Sequence, residues 1–349
     1  MKTFTNLYND VISAKNLFRA WDVFRRGKIT KKDVLRFEWK LEQNIFELHR
    51  DLKSKEYRHG PYKSFYITDP KRRHIHKAIV RDRVLHHAVY SNLYPLFNPT
   101  FIATSFSCRI GKGTHRGVLW LEEKTRKVSR NYTHQCFILK CDIKKFFDSV
   151  DHNVLTSILN KRIKDKEVMC LLKEVIGSFS SGLSNLFDKK GIPLGNLTSQ
   201  LFANIYMNEF DQFIKQDLKV KYYARYTDDF VIVSDNEDYL KYTLKPIADF
   251  LDKKLKLTLH PKKVSIHKLH NGVDYLGYII LPHYRLLRTK TKNRIYRGMK
   301  RRVQEHKIEK ISKNTAEQSL QSYLGALSHS NSHKTEEDLK NLFWFLMNN

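Results

Sequence analysis

The sequence predicts an α+β fold: a mixed helix–strand middle between helical ends. Three observations predict it. Apolar residues near the N-terminus, and again after about Lys290, follow helical spacing. The middle carries short apolar runs such as "CFILKCD" and "YYARYTDDFVIVS", bounded by polar turn residues, which read as strands. At 349 residues, with 41% hydrophobic and 12% aromatic side chains, the chain has material for two or three subdomains around a substantial core.

Along the chain, residues 1 to about 58 read as helical. In "DVLRFEWKLEQNIFELHRDLKS", Leu35, Trp39, Ile45, Leu48 and Leu52 fall near a 3.6-residue period. "HGPYKSFYITDPKRRHIHKAIV" reads as a hairpin turning at "DPKRR", followed by a helix from about Asp82 to Leu96 that carries His86 and His87. "CFILKCDIKKFFDSV" reads as a strand ending near Asp142, then a helix. "LTSQLFANIYMNEFDQFI" reads as an amphipathic helix with Phe202, Tyr206, Phe210 and Phe213 on one face. "KYYARYTDDFVIVS" reads as two strands meeting at Asp228 and Asp229, and helices resume at about Lys290.

Charge narrows the function classes. Sixty-four Lys and Arg against 36 Asp and Glu leave +28, which suggests a polyanionic partner, nucleic acid or an anionic membrane surface; a generally basic solvated surface is the competing reading. No stretch approaches the roughly 18 apolar residues of a spanning helix, and Asn, Asp and Lys interrupt the start, so neither a membrane span nor a signal peptide is expected. Cys108, Cys136, Cys141 and Cys170 form no C-x-x-C pair and no zinc-finger spacing with His; a cytosolic protein with free thiols and no structural zinc is expected.

Two adjacent carboxylates, Asp228 and Asp229, raise the cost of ionising each other, so something cationic should hold them. Asp142 also ends an apolar strand. If the two strands are neighbours, three carboxylates converge as hard oxygen ligands suited to Mg²⁺. Otherwise Asp142 caps the following helix and the pair forms a plain turn.

"CDIKKFFDSV", followed about eighty residues later by "YTDD", resembles the palm of a reverse transcriptase. "GIPLGNLTSQLFANIY" between them resembles that family's nucleotide-pocket loop and following helix, and "RRHIHKAIVRDRVLHHAV" resembles its fingers. "LTLHPKKVSI" and "VDYLGYII" resemble the last palm motif and the primer grip. The resemblance spans about residues 40 to 330, in order and spacing. It implies a right-hand polymerase: a helical extension over 1–58, fingers over 59–135, a palm with an antiparallel sheet over 136–280 and a helical thumb over 281–349.

The resemblance also implies residue roles. Asp142, the backbone carbonyl of Ile143, Asp228 and Asp229 would hold two Mg²⁺ ions, with Mn²⁺ as a substitute. Arg73 would meet the dNTP triphosphate, or is one of several solvated charges. Phe147 would sit under the sugar and exclude a 2′-hydroxyl, or is a core aromatic beside Phe146. Leu194, Gly195 and Gln200 would line the nucleotide pocket, and Lys263, or its neighbour Lys262, would stand near the leaving pyrophosphate. Tyr275, Leu276 and Gly277 would grip the primer end. Lys290, Lys292, Arg294, Arg297, Lys300, Arg301 and Arg302, with no acid among them in "KTKNRIYRGMKRR", would follow the template–primer backbone. "LQSYLGALSHS", with Tyr323, Leu324 and Leu327, would pack the thumb helices.

One departure is informative. Reverse transcriptases commonly read "PQG" and then "SP" in the pocket loop; this chain has Leu194 and Gln200 instead of the Gln and the second Pro. Thr227 stands where Ala, Met or Val is usual. "LGNLTSQ", "RDRVLHHAV" and "CRIGKGTHRG" most resemble the reverse transcriptases of diversity-generating retroelements, which copy a template RNA with errors at adenines. The implied partners are template RNA, a cDNA–primer duplex, dNTPs and either a small accessory protein or a structured non-coding RNA, in the cytoplasm of a bacterium or archaeon or encoded by a phage. A phage-defence or retron-type enzyme is the alternative within the family. A catalytically silent RNA-binding module is the alternative of another class.

Overall fold

The computed structural model describes residues 3–69, 71–182, 184 and 189–349. Four helices open the chain: α1 (Tyr8–Ile12), α2 (Ala14–Arg25), α3 (Lys32–Glu38) and α4 (Leu41–Lys53). The helical start is as expected, but it is no free-standing extension. Trp21, Phe24, Val34, Ile45, Leu48 and Leu52 enter the same apolar core as the centre of the protein. One expectation fails here. Leu35 and Trp39 do not share the stripe of Ile45, Leu48 and Leu52; they are exposed, Trp39 by 88%. The chain leaves helical geometry at Lys40 (φ −124°, ψ 43°), which rotates the apolar phase between α3 and α4.

The expected hairpin forms from β1 (Tyr62–Ile67) and β2 (Arg73–Ala78), antiparallel with Tyr62 opposite Ala78; Pro70 of its expected turn lies outside the described residues. Next come α5 (Val80–Phe97), α6 (Thr114–Val128), β3 (Phe137–Asp142), the short α7 (Phe146–Ser149), α8 (His152–Arg162), α9 (Lys166–Gly177) and α10 (Leu197–Gln212). Then β4 (Tyr223–Tyr226), β5 (Asp229–Ser234), α11 (Glu237–Leu255) and β6 (Ser265–Lys268) complete the central part.

The central antiparallel sheet runs β4-β5-β3-β6. Its apolar runs are continuous because both faces are covered. Phe137, Leu139, Cys141, Phe230 and Ile232 point into the large core, while Ile138, Ala224, Val231 and Val233 point into a second one. α10 packs against α5, α8 and α11. It is not amphipathic as expected: Leu201 through Asn208, Phe210 and Asp211 are all buried, so the helix is enclosed on every side. Phe213 falls just beyond it and stacks on Phe250.

A second sheet, β7 (Val273–Tyr275), β8 (Tyr278–Leu281) and β9 (Tyr284–Leu287), closes the second core. Leu276 (φ 48°) and Gly277 (φ 96°) form its two-residue turn, whose left-handed backbone matches strand twist. Finally α12 (Thr289–Lys307), α13 (Lys313–Leu327) and α14 (His333–Asn348) pack around their own core of Ile295, Met299, Val303, Leu320, Leu327 and Phe343, with Tyr323 and Leu324 against it. The architecture is that expected of a right-hand polymerase.

Candidate active site

The register of β3 against β5 sets Asp142 directly opposite Asp229. Tyr226 pairs with Asp229 across β4 and β5, so Thr227 and Asp228 alone make the turn. The Ile143 N–H donates to the Asp228 carbonyl at 3.2 Å, tying the end of β3 to that turn. Three carboxylates therefore gather at one end of the two central strands, as the alternating pleat and the two-residue turn require.

Their electrostatics are those of an undercompensated acidic cluster. Burial, then Asp142, raises the Asp228 carboxyl above its ordinary range, against the opposing pull of Lys263 and Arg73. Burial, then Asp228 and Asp142, pushes Asp229 up further. The Lys263 ammonium lies 2.8 Å from Asp142 Oδ2, while the Lys262 main-chain N–H donates to His260 Nδ1. Of the two lysines, Lys263 belongs to the cluster. Among the described residues no three His, Cys, Asp or Glu side chains are placed to hold an ion together. The donor chemistry fits a divalent cation all the same. Buried like charges with hard oxygens are relieved by a cation, and Lys263 already supplies one to Asp142.

Around this cluster, β2 is stitched to the loop before α10. His76 N–H donates to the Leu194 carbonyl at 3.0 Å, Asn196 Nδ2 donates to the His76 carbonyl at 3.1 Å, and Ala78 N–H reaches Asn196 Oδ1 at 3.4 Å. Gly195 has φ +111°, and a Cβ there would stand 2.8 Å from Ile75 Cγ2. Gln200 is exposed in the first turn of α10. Phe146 fills the core; Phe147 packs edge-on against it, 5.3 Å between centroids, and is half-buried. The Phe147 carbonyl accepts the Ile192 N–H at 2.8 Å, so it borders the pocket loop. Arg73, opposite Ile67 at the start of β2, is exposed.

Tyr275 is buried, with no hydrogen-bond partner for its hydroxyl; burial and then the charge of Asp229 raise its pKa. Leu276 lies against Gly117, and the Gly277 carbonyl accepts the Arg288 N–H at 3.0 Å. Lys290, Lys292, Arg294, Arg297, Lys300, Arg301 and Arg302 lie along α12, away from the carboxylates in sequence and core. The expectation that nothing acidic answers them needs correction. Glu305, one turn beyond Arg301 and Arg302, pairs with Arg302 at 2.8 Å and lies 4.0 Å from Arg301.

Sequence reasoning passed over Arg225 and Asp211, which form a fully buried ion pair behind the carboxylate turn. The signal was present. A charged residue inside a strand covered on both faces needs a buried partner.

The family profile described as "Reverse transcriptase (RNA-dependent DNA polymerase)" matches residues 68–280, more than half of the chain. Protein YkfC of Escherichia coli is 25% identical over 270 residues, covering 67% of this chain and 70% of YkfC. Group II intron-encoded protein LtrA of Lactococcus lactis is 23% identical over 306 residues, covering 68% of this chain and 50% of LtrA, so the chain spans half the length of that relative. A solved apo telomerase from Candida tropicalis aligns with TM-score 0.47 and 13% identity, over 69% of this chain and 58% of that one. The profile covers both strands that bring the three carboxylates together, and the pocket loop between them. The chain belongs to the reverse transcriptase family of RNA-dependent DNA polymerases.

Proposed function

We propose that this chain adds dNTPs to a primer end on an RNA template, error-prone, as the polymerase of a diversity-generating retroelement. The observation that carries the catalytic part is the placement of Asp142 opposite Asp229 with Asp228 in the adjoining turn. Asp142, the Ile143 carbonyl, Asp228 and Asp229 would hold two Mg²⁺ ions, or Mn²⁺ in their place. When bound, such ions neutralise the attacking and leaving oxygens of phosphoryl transfer.

The chain's own residues divide the remaining work. Lys263 neutralises Asp142 before substrate arrives and passes its ammonium to the departing pyrophosphate. Arg73 holds the triphosphate from the hairpin side, and Phe147 bars a 2′-hydroxyl. Leu194, Gly195 and Gln200 shape the pocket, with Leu194 offering no polar check on the base pair. Tyr275, Leu276 and Gly277 seat the primer end, and the basic residues of α12 follow the duplex backbone. In this reading 59–135 are fingers, 136–280 palm, 281–349 thumb and 1–58 a helical extension. The partners are template RNA, the cDNA–primer duplex, and an accessory protein or structured RNA, in the cytoplasm. No helix among the described residues is long and apolar enough to cross a membrane.

Similarity to intron-encoded LtrA supports a second reading, in which the dedicated RNA is an intron. Primer extension on a defined RNA, followed by sequencing of the cDNA, tests both. Misincorporation concentrated opposite template adenine supports the retroelement. Low, even error favours the intron reading or a defence enzyme. Absence of any extension leaves an RNA-binding module.

A further inference from the structure

Behind the carboxylate turn lies a closed polar network in which a single guanidinium reaches two elements at once. Arg225, on β4, is fully buried. Its Nε and one terminal nitrogen donate to the two oxygens of Asp211 on α10, at 2.8 and 2.7 Å. The same terminal nitrogen reaches Ser105 Oγ at 3.1 Å. The other terminal nitrogen donates to the Thr227 carbonyl at 3.0 Å and approaches Asn204 Oδ1 at 3.4 Å. Asp211 also accepts the Tyr223 hydroxyl at 2.7 Å.

Thr227 is the peptide unit immediately before Asp228, and its φ is +58°. A β-branched residue in the left-handed region is strained and persists only where its surroundings impose it. The two-residue turn calls for positive φ at this position, and two bonds hold a threonine in it. One is the Arg225 bond to its carbonyl. The other is a 2.6 Å bond from the Thr227 hydroxyl to Ser107 Oγ. Asn204 in turn holds the Ser107 carbonyl at 2.9 Å.

We propose that Arg225, anchored by Asp211, is a positioning residue that acts with Ser107 to hold Thr227 in its left-handed conformation, and that the two bonds together aim Asp228 into the carboxylate cluster. Two features separate this from a generic core ion pair. Burying an ion pair is costly and often no more stabilising than apolar packing, so such a pair calls for a role beyond stability. The geometry also uses what Lys lacks: a planar fork that grips both oxygens of one carboxylate and leaves a donor for a third group. α10 begins at the nucleotide-pocket loop and carries Asp211 near its far end. The network therefore locks the turn to the helix that bounds the pocket. The proposal rests on the reading of Asp228 as a metal ligand.

Arg225→Lys keeps the charge beside Asp211 but gives up the tether to Thr227. Thr227→Asn supplies a residue that tolerates left-handed φ without the tether. In the full chain, Arg225→Lys is expected to lower kcat for primer extension by about tenfold or more with the KM for dNTP within about threefold. It is also expected to weaken Mn²⁺ binding, read by electron paramagnetic resonance without substrate, by about threefold. Arg225→Lys with Thr227→Asn is expected to recover about threefold or more of both, a coupling that a double-mutant cycle isolates. Circular dichroism and the thermal midpoint establish that each variant is folded at assay temperature. If Arg225→Lys does not fold, Ser107→Ala leaves the ion pair intact and removes the second bond to Thr227. It is then expected to lower kcat and Mn²⁺ affinity in the same direction, by about threefold.

Wild-type kcat and Mn²⁺ affinity in Arg225→Lys, or in Ser107→Ala where that variant is needed, would overturn the proposal. So would a loss that Thr227→Asn leaves untouched, which would make Arg225 a core ion pair and nothing more. If the wild type extends no primer, the polymerase reading fails separately, and the Mn²⁺ titration still reads the turn.

Discussion

Asp142 and Lys263, 121 residues apart in sequence, face each other at 2.8 Å at one end of the central strands. The pairing comes from topology. β6 pairs with β3 and enters the sheet after a loop whose His260 N–H bonds the Asp142 carbonyl at 2.8 Å, which brings Lys263 over the carboxylate. The ammonium remains partly solvated, its side chain 42% exposed, which leaves room for it to exchange partners, as the proposed role toward pyrophosphate requires.

Asp228→Asn is expected to leave the fold intact and stop nucleotide addition. The amide is isosteric but cannot act as an anionic ligand. Primer extension falling by less than about tenfold, about 1.4 kcal/mol in barrier, would remove Asp228 from the site. Asp148→Asn is expected to be tolerated, because the bond holding that segment, Ser181 Oγ to the Asp148 carbonyl at 2.7 Å, uses main chain.

Neutralising Arg297, Lys300 and Arg301 together is expected to weaken template–primer binding and flatten its salt dependence, by roughly 0.7–0.9 log units of slope for each phosphate left without its cation. All three are exposed on α12, and Glu305 engages Arg302 more closely than Arg301. Fluorescence anisotropy against salt concentration measures the slope. An unchanged slope would turn this face toward solvent or a protein.

Phe147→Ala is expected to admit ribonucleotides. Phe146 fills the core and Phe147 is the half-buried member of the pair, so the truncated site should fold. Parallel extension with dNTPs and rNTPs reads the result. An active variant that still rejects rNTPs would place the discrimination elsewhere.

Leu194→Gln is expected to lower the error rate, most of all opposite template adenine, with some loss of speed. A polar side chain restores a check on the position of the base pair, and sites lacking a polar group there discriminate less. The main-chain bond from His76 to the Leu194 carbonyl does not depend on the side chain, so the loop should keep its place. Sequenced cDNA from both forms decides it. Equal error in the two would clear Leu194.

The contribution of two buried histidines to stability is expected to decline as pH falls below about 6.5, the usual imidazole value, while the raised Asp228 and Asp229 carboxyls act in the opposite sense. Burial, then the neighbouring His59, His87 and Arg83, holds His86 down to about 3. Burial, then Lys28 and Arg83, holds His87 down to about 4. Between those values and the unfolded one, the unfolded chain binds protons that the folded chain refuses. The histidines' contribution is therefore complete above the unfolded value and erodes toward pH 4, each group contributing up to about 1.4 kcal/mol per pH unit. Urea midpoints at pH 7 and pH 5 measure it, and His87→Gln is expected to reduce the difference. The same pH 7 to pH 5 change in the wild type and in His87→Gln would contradict it.

What the sequence revealed was local. The hairpin, β3 and the run of basic residues on α12 each announce themselves within a few residues, through apolar runs, turn chemistry or charge; the carboxylate turn does too, but one residue off, since Asp229 already belongs to β5 and Thr227 and Asp228 make the turn. What stayed hidden depended on enclosure. The aromatic spacing of α10 looks one-sided, yet Asn204, Asn208 and Asp211 on its other faces are buried too, because neighbours cover the helix all round. Arg225 reads as one more cation in a chain of +28 until Asp211 is seen beside it. The choice between Lys262 and Lys263 needed the contact of a single ammonium with Asp142.

The tight fit at Gly195 has an evolutionary consequence. Both the backbone angle of +111° and the approach of Ile75 Cγ2 forbid a Cβ, on independent grounds, although the residue itself is exposed. Substitutions at Leu194 and Gln200 on either side meet no such bar, whereas any side chain at Gly195 strains the loop. Related chains that share this loop are expected to keep a glycine here for steric reasons, whatever the neighbouring side chains do.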